Sequence, residues 1–245
     1  MAKQSGLGQK LYVQGYDIST DTSSLSNVGY MQELLDTTGI NVSASERVTG
    51  LESSQMTVNG WFDVADDKSH EAYLVSNKLP GTDRAVTYLI GDAITEPAFF
   101  LNAKQAEYNI TRASGSALAT TASFASNATS AAGDGVQFGV MLDGGSTTYS
   151  SSTNGTTVDQ SSSSSAGAVA CLQFQSGTSV SSFVVKVQHS TNGASWSDII
   201  TFSTISANTA TAEILSMEGT VNRYVRTINT LSGTNATCQV SFARL

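Results

Sequence analysis

Asp63, Asp66, Asp67 and His70 form the densest cluster of charged, metal-competent side chains in this 245-residue chain. Carboxylates gathered in a loop suit a hard cation such as calcium. The spacing lacks the glycine and the bidentate glutamate of a calcium loop, so the same residues also read as a helix start, with Asp66 and Asp67 capping its N-terminus. Nucleophilic chemistry lacks its parts. No Gly-x-Ser-x-Gly elbow precedes a helix. The only histidines, His70 and His189, fall in different halves of the chain, which leaves a Ser-His-Asp arrangement without a base. Gly6-Leu7-Gly8 and Gly133-Asp134-Gly135 lack the lysine and following helix of a phosphate loop and read as turns. Without a nucleophile–base pair, neither an enzyme nor a cofactor is expected.

Binding chemistry has more candidates. Trp196 follows Asn192-Gly193 and precedes a strand. Buried, it would plug a sandwich core; exposed, together with Tyr224, it would offer an aromatic face to a sugar ring. Cys171 and Cys238 lie 67 positions apart with no Cys-x-x-Cys spacing. They read as two small buried hydrophobes, with a disulfide as the alternative that a reducing compartment disfavours. The segment 36–54 is polar, long and placed between strands. It is expected to reach a neighbouring subunit, with Asp36, Glu46, Arg47 and Glu52 available for inter-subunit pairs, or else to be a solvated loop.

These residues need elements to hold them. Residues 10–16 and 54–62 alternate as strands, with Met56, Val58 and either Trp61 or Phe62 toward a core. Residues 31–40 have an apolar centre ended by turn residues, and Arg47 to Glu52 reads as a polar connection. One helix is expected over 66–79, ended by Leu79-Pro80-Gly81. Strands resume at 84–91, 98–110 and 115–124, the last rich in Ala, Ser and Gly. The segments 168–175, 183–190, 199–202, 212–215, 222–228 and 238–245 are short strands with turns between them, the signature of an antiparallel sandwich. Runs such as residues 161–165, all serine, read as linker and loops, which puts a boundary near 140–146. The expected fold is mainly β: a β-sandwich or barrel with one short helix over 1–140, then an antiparallel β-sandwich over 141–245.

Composition excludes several classes. Ser is 37 and Thr 29, and charged residues are only 13%. A net charge of −8 leaves too few cations to neutralise phosphates in number, so a nucleic-acid binder is not expected. The same acidity would let DNA pass without sticking, although solubility is the plainer explanation. No run of 18 apolar residues could span a bilayer, so membrane insertion is not expected, and the N-terminus lacks a secretory apolar region, which predicts a cytoplasmic origin.

The first 140 residues resemble the major tail proteins of long-tailed, non-contractile phages. The residues that carry the likeness are Val13-Gln14-Gly15-Tyr16-Asp17-Ile18-Ser19, Leu35-Asp36-Thr37-Thr38-Gly39-Ile40, Glu46-Arg47-Val48-Thr49-Gly50-Leu51 and Met56-Thr57-Val58-Asn59-Gly60-Trp61-Phe62, continued by residues 83–91 and 103–109. The last hundred residues resemble an add-on discoidin-like or Ig-like β-sandwich, through His189-Ser190-Thr191-Asn192-Gly193-Ala194-Ser195-Trp196 and residues 219–226. Residues 150–165 match neither. The resemblance implies a virion tail subunit, assembled in a host cytoplasm, that stacks as hexameric rings around a DNA conduit. Its partners would be other copies of itself, further tail proteins including a tape-measure protein, and viral DNA in transit without sequence-specific binding. The second domain would decorate the outside. A capsid decoration protein, or a module adhering to host glycans, is the alternative.

Overall fold

The computed structural model describes residues 6–65, 68–74, 78–128 and 135–245. It is mainly β, with one short helix. The first half contains β1 (Lys10–Val13), β2 (Tyr16–Asp17), β3 (Thr22–Ser26), β4 (Met31–Asp36), β5 (Arg47–Ser53), β6 (Gln55–Trp61), helix α1 (Ser69–Tyr73), β7 (Arg84–Leu89), β8 (Pro97–Thr111), β9 (Ala119–Ser126) and β10 (Val136–Met141). The second contains β11 (Thr147–Tyr149), β12 (Thr153–Asn154), β13 (Val158–Asp159), β14 (Ala168–Thr178), β15 (Ser182–Ser190), β16 (Ser197–Thr201), β17 (Thr211–Met217), β18 (Tyr224–Ser232) and β19 (Asn235–Arg244). All the strand pairings are antiparallel.

β8 links two layers. Its first part pairs with β7 and β10, and from Ala103 onward it pairs with β9, across a register shift between Gln105 and Glu107. Leu11, Val13, Val86, Phe99 and Leu101 face Met56, Val58, Ala122 and Phe124, which makes the first core. Met56 and Val58 are therefore inside as alternation predicts, whereas Trp61 is exposed. The second core lies between β14, β19 and β11 on one side and β15 and β18 on the other, with Phe174, Phe183, Val185, Val187, Val225 and Val240 at its centre.

A third contact joins the halves. Successive strand residues point to opposite faces, so Ala85 and Phe100 leave the first core and meet Val169, Cys171 and Ala243. Gln173 is fully buried here. Its Nε2 donates to Thr87 Oγ1 at 2.9 Å and to the Ala85 carbonyl at 3.2 Å, and its Oε1 accepts from the Gly15 amide at 2.6 Å. β10 crosses the seam by pairing with β8 and then β19. A Cβ at Gly139 would stand 2.1 Å from the Phe242 carbonyl oxygen, and one at Gly15 2.3 Å from that of Phe174, so only glycine permits these approaches.

Three expectations change, and that of two buried, unbridged cysteines holds. Residues 10–16 are two strands, because Gln14 and Gly15 both take positive φ (53° and 89°) and close a two-residue hairpin of type I′. The helix is only Ser69–Tyr73, and Leu74 is already extended. Arg84 donates to the Ala72 carbonyl and so ends it. Asp66 and Asp67 lie outside the described residues; the Ser69 amide donates to Asp21 Oδ2 at 3.0 Å. The serine-rich stretch is not a free linker: β11 pairs with β19, and β12 and β13 pair with β18. Cys171 and Cys238 are free and buried, one in the seam and one in the second core, so no disulfide joins them. Burial pushes the Cys171 thiol up to about 12.

Two predictions follow from this burial. Gln173→Ala strands the Gly15 amide in an apolar seam and leaves the Thr87 hydroxyl only Cys171 Sγ at 3.3 Å, and is expected to cost about 1–3 kcal/mol in urea unfolding; a change within measurement error would mean that the seam tolerates unpaired groups. Asp143 is buried, with Oδ1 accepting from Thr227 Oγ1 at 2.8 Å and Oδ2 unpartnered. Burial holds its carboxyl above the ordinary range against the hydrogen bonds from Thr227 and Tyr149. Stability from this group is present at low pH, where it is protonated folded and unfolded, and is lost as pH rises through its raised folded value. Asp143→Asn should therefore melt higher than wild type at neutral pH, with the gap closing in acid; a gap independent of pH would refute the assignment.

Candidate functional site

β4 and β5 pair only with each other, as a separate two-stranded sheet. Apart from Gly50, every residue of both strands is exposed. The register puts Asp36 opposite Arg47, Leu34 opposite Thr49 and Gln32 opposite Glu52 on one face, and Leu35 opposite Val48 and Met31 opposite Ser53 on the other. A register shift between Gln32 and Leu34 bends the ribbon. Neither face meets a core, yet both carry large apolar side chains. Leu51 is 84% exposed and Leu34 59%. Fifteen large hydrophobic residues are exposed among the described residues; eight lie between Tyr30 and Leu51, and none follows Phe138.

The base of the hairpin is anchored. The Phe138 amide donates to the Tyr30 hydroxyl at 2.9 Å, and the Tyr30 ring lies 5.2 Å from Phe138, which in turn lies 4.8 Å from Phe99 of the first core. The tip, residues 37–46, is closed by the Thr37 amide on the Glu46 carbonyl at 2.9 Å and by the Glu46 amide on Thr38 Oγ1 at 2.8 Å. An isolated hairpin is marginal in water, so this one is held by its base and its turn.

The structure brings Asp36, Arg47 and Glu52 onto one face of this hairpin and puts Glu46 at its tip. The stretch 47–53 is a strand, not the polar connection the sequence suggests. Asp36 and Arg47 face each other without an ion pair among the described residues. The Asp36 carboxylate accepts from the Thr38 amide at 2.9 Å, and bonds from Thr38 hold it below the ordinary carboxylate range. Arg47 and Glu52 stay turned to solvent. Alternation did not mark this hairpin because Leu34 and Leu35 are neighbours; that adjacency, with Val48 and Leu51 across from it, is the signal for a ribbon needing cover on both sides.

Trp196 is not in the second core. It is half-buried on the solvent side of the β15–β18 sheet, with the Arg226 guanidinium 4.2 Å above its ring. Arg226 donates twice to Gln188 Oε1 (2.9 and 3.0 Å), Gln188 Nε2 donates to Asp198 Oδ1 at 2.7 Å, and Lys186 pairs with Asp198 Oδ2 at 2.6 Å. Tyr224 points to the same side, with Arg223 5.0 Å from its ring centre; Arg223 is fixed by Asp159 at 2.6 Å. The Arg223 pair pulls the Asp159 carboxyl down to about 2.

No acid–base constellation emerges among the described residues. Asp63 Oδ1 accepts from the Ala65 amide, and His70 sits between the rings of Phe62 and Tyr108. No group of three metal-competent side chains converges among the described residues. A cleft of about 480 Å³ beside β17, floored by Leu172 and Ile205, has Glu213 on its rim, already held by the Ser203 amide and hydroxyl.

No protein-family model and no curated protein matches the chain. Among solved structures, it is similar to a chain of the virion of a native gene transfer agent particle, at 13% identity and a TM-score of 0.42, over 56% of this chain and 98% of that one. It is similar to the Dit protein of SPP1, described as a hub of the adsorption apparatus in phages infecting Gram-positive bacteria, at 12% identity and a TM-score of 0.39, over 96% and 99%. A sheath/tube terminator of an extracellular contractile injection system aligns at 9% identity and a TM-score of 0.42, over 56% and 97%. At these scores the likenesses assign no activity to this chain.

Proposed function

We propose that this protein is a structural component of a phage-type tail, and within that class a subunit that assembles with its own copies into stacked rings forming a tube for DNA passage. The observation that carries this reading is the β4–β5 hairpin, whose two faces expose apolar side chains that only another molecule can cover. Covering a half-exposed leucine or valine contributes about 1 kcal/mol, so eight such residues supply several kcal/mol per contact. The sequence resemblance to major tail proteins supports the tail assignment. The division at 140/141 belongs to the same proposal: residues 1–140 assemble, while residues 141–245, without an exposed large hydrophobic side chain among the described residues, face outward as decoration. In this reading the protein does no catalysis, is assembled in the host cytoplasm and ends in the virion tail beside a tape-measure protein.

Sedimentation and electron microscopy of the purified full chain test it. Wild type is expected to form rings or tubes. Leu34→Asp with Leu51→Asp should abolish them while leaving the melting temperature unchanged, because both side chains are exposed. A wild-type chain that remains monomeric at every concentration, alone and with tail partners, would overturn the proposal.

A second role is favoured by the ordered surface around Trp196. Lys186, Gln188, Asp198 and Arg226 are fixed by one another beside an aromatic ring, the arrangement that a polyol ligand such as a host glycan could use without an ordering cost. Trp196→Ala is expected to remove binding in a glycan array while tube assembly persists. Retained binding by the folded variant, or no binding by wild type, eliminates this role.

A further inference from the structure

The hairpin needs an acceptor, and a second exposed apolar group offers one. Ile110 and Leu118 are 48% and 39% exposed. They share a side at one end of the β8–β9 pair: Ile110 is opposite Thr120, two positions from Leu118, whereas Trp61, opposite Ala119, points to the other side of the sheet. The hairpin base is tied to Phe138, which pairs with Phe99 near the start of β8. Ile110 lies eleven residues further along the same strand, on the order of 35 Å at the usual rise. Both groups are exposed together, so the hairpin does not cover its own patch.

Charge matches as well. Residues 30–53 contain Glu33, Asp36, Glu46 and Glu52 against Arg47, a net of −3. Residues 108–120 contain one charge, Arg112, which is exposed and in none of the ion pairs among the described residues.

We infer that the β4–β5 hairpin of one copy docks on the Ile110–Leu118 patch of the next, a head-to-tail contact in which Arg112 meets the acidic hairpin. This rests on the self-assembly reading and adds the acceptor surface and the symmetry. Used one way round, two different surfaces in contact generate a ring or an open filament, whereas reciprocal docking of the two hairpins closes a two-fold dimer. The double variant separates the two, because only the one-way contact gives a ladder beyond dimers.

Paired cysteines test the contact in the full chain. The native thiols are fully buried, so an introduced one reacts alone. Leu51→Cys and Leu118→Cys chains are prepared separately, mixed, and oxidised with diamide, with Ile110→Cys as a second acceptor variant should Leu118→Cys fold poorly. Sedimentation of the reduced samples is run in parallel. A covalent dimer is expected from the mixture and from neither variant alone, with a ladder of multimers from the double variant. Arg112→Glu should slow cross-linking severalfold, more at low salt than at high. Dimers from Leu51→Cys alone, or assembled particles whose mixture does not cross-link, would refute the acceptor while leaving self-assembly standing. Absence of assembly in the reduced wild type would remove both.

Discussion

The molecule depends on one twelve-stranded sheet turning back on itself, so that two of its arms meet face to face. β7 and β8 present Ala85 and Phe100; β14 and β19 present Val169, Cys171 and Ala243. Small residues let the layers approach, and two glycines let backbones touch at Gly15 and Gly139. Close approach brings backbone polar groups out of water, and each must then find a partner. Gln173 supplies it, serving the Gly15 amide, the Thr87 hydroxyl and the Ala85 carbonyl from one side chain. Around its rim Gln175 Nε2 and the Tyr12 hydroxyl both donate to the Gly145 carbonyl, and Lys10 pairs with Asp92. A seam hydrogen-bonded on this scale joins the two halves through contacts a flexible linker would not have.

That seam separates the surfaces by character. The second half buries its large apolar side chains in its own core and against the first. The first half buries its sheets as well, but leaves the hairpin outside. Tyr30 on Phe138 fixes where the ribbon leaves the body. A contact arm set in this way loses less freedom on docking than a loose one, since part of the ordering is already done in the free chain.

Legibility in the sequence followed the range of the interactions. Strands such as Phe183 to Ser190 announce themselves, because alternation is local and one face is buried. The bond from Ser69 to Asp21 at the start of α1 did not, because Asp21 lies 48 residues from Ser69. The Gln14–Gly15 turn was hidden because glutamine is not a residue that favours positive φ; the seam holds it there through the Ala85 amide on Gln14 Oε1. Trp196 reads as a core residue by hydrophobicity alone, and only the fold shows Arg226 standing over it. The serine-rich stretch resembles a linker by composition, yet its backbone groups pair with β18 and β19. Asp36, Arg47 and Glu52 fall in one polar segment by sequence, but their sharing one ribbon face is visible only in the register.

The hairpin itself shows why a violated pattern is informative. A strand with one buried face should alternate, and Leu34-Leu35 does not. In a two-sided core strand such adjacency is satisfied by layers above and below; here neither layer is present among the described residues. Opposite them β5 carries Gly50 in its middle and charges at both ends, which keeps the uncovered ribbon soluble and discourages free edge pairing. The hairpin is the clearest conflict between pattern and burial among the described residues, and in the assembly proposed above a conflict that folding does not remove is where a partner's surface belongs.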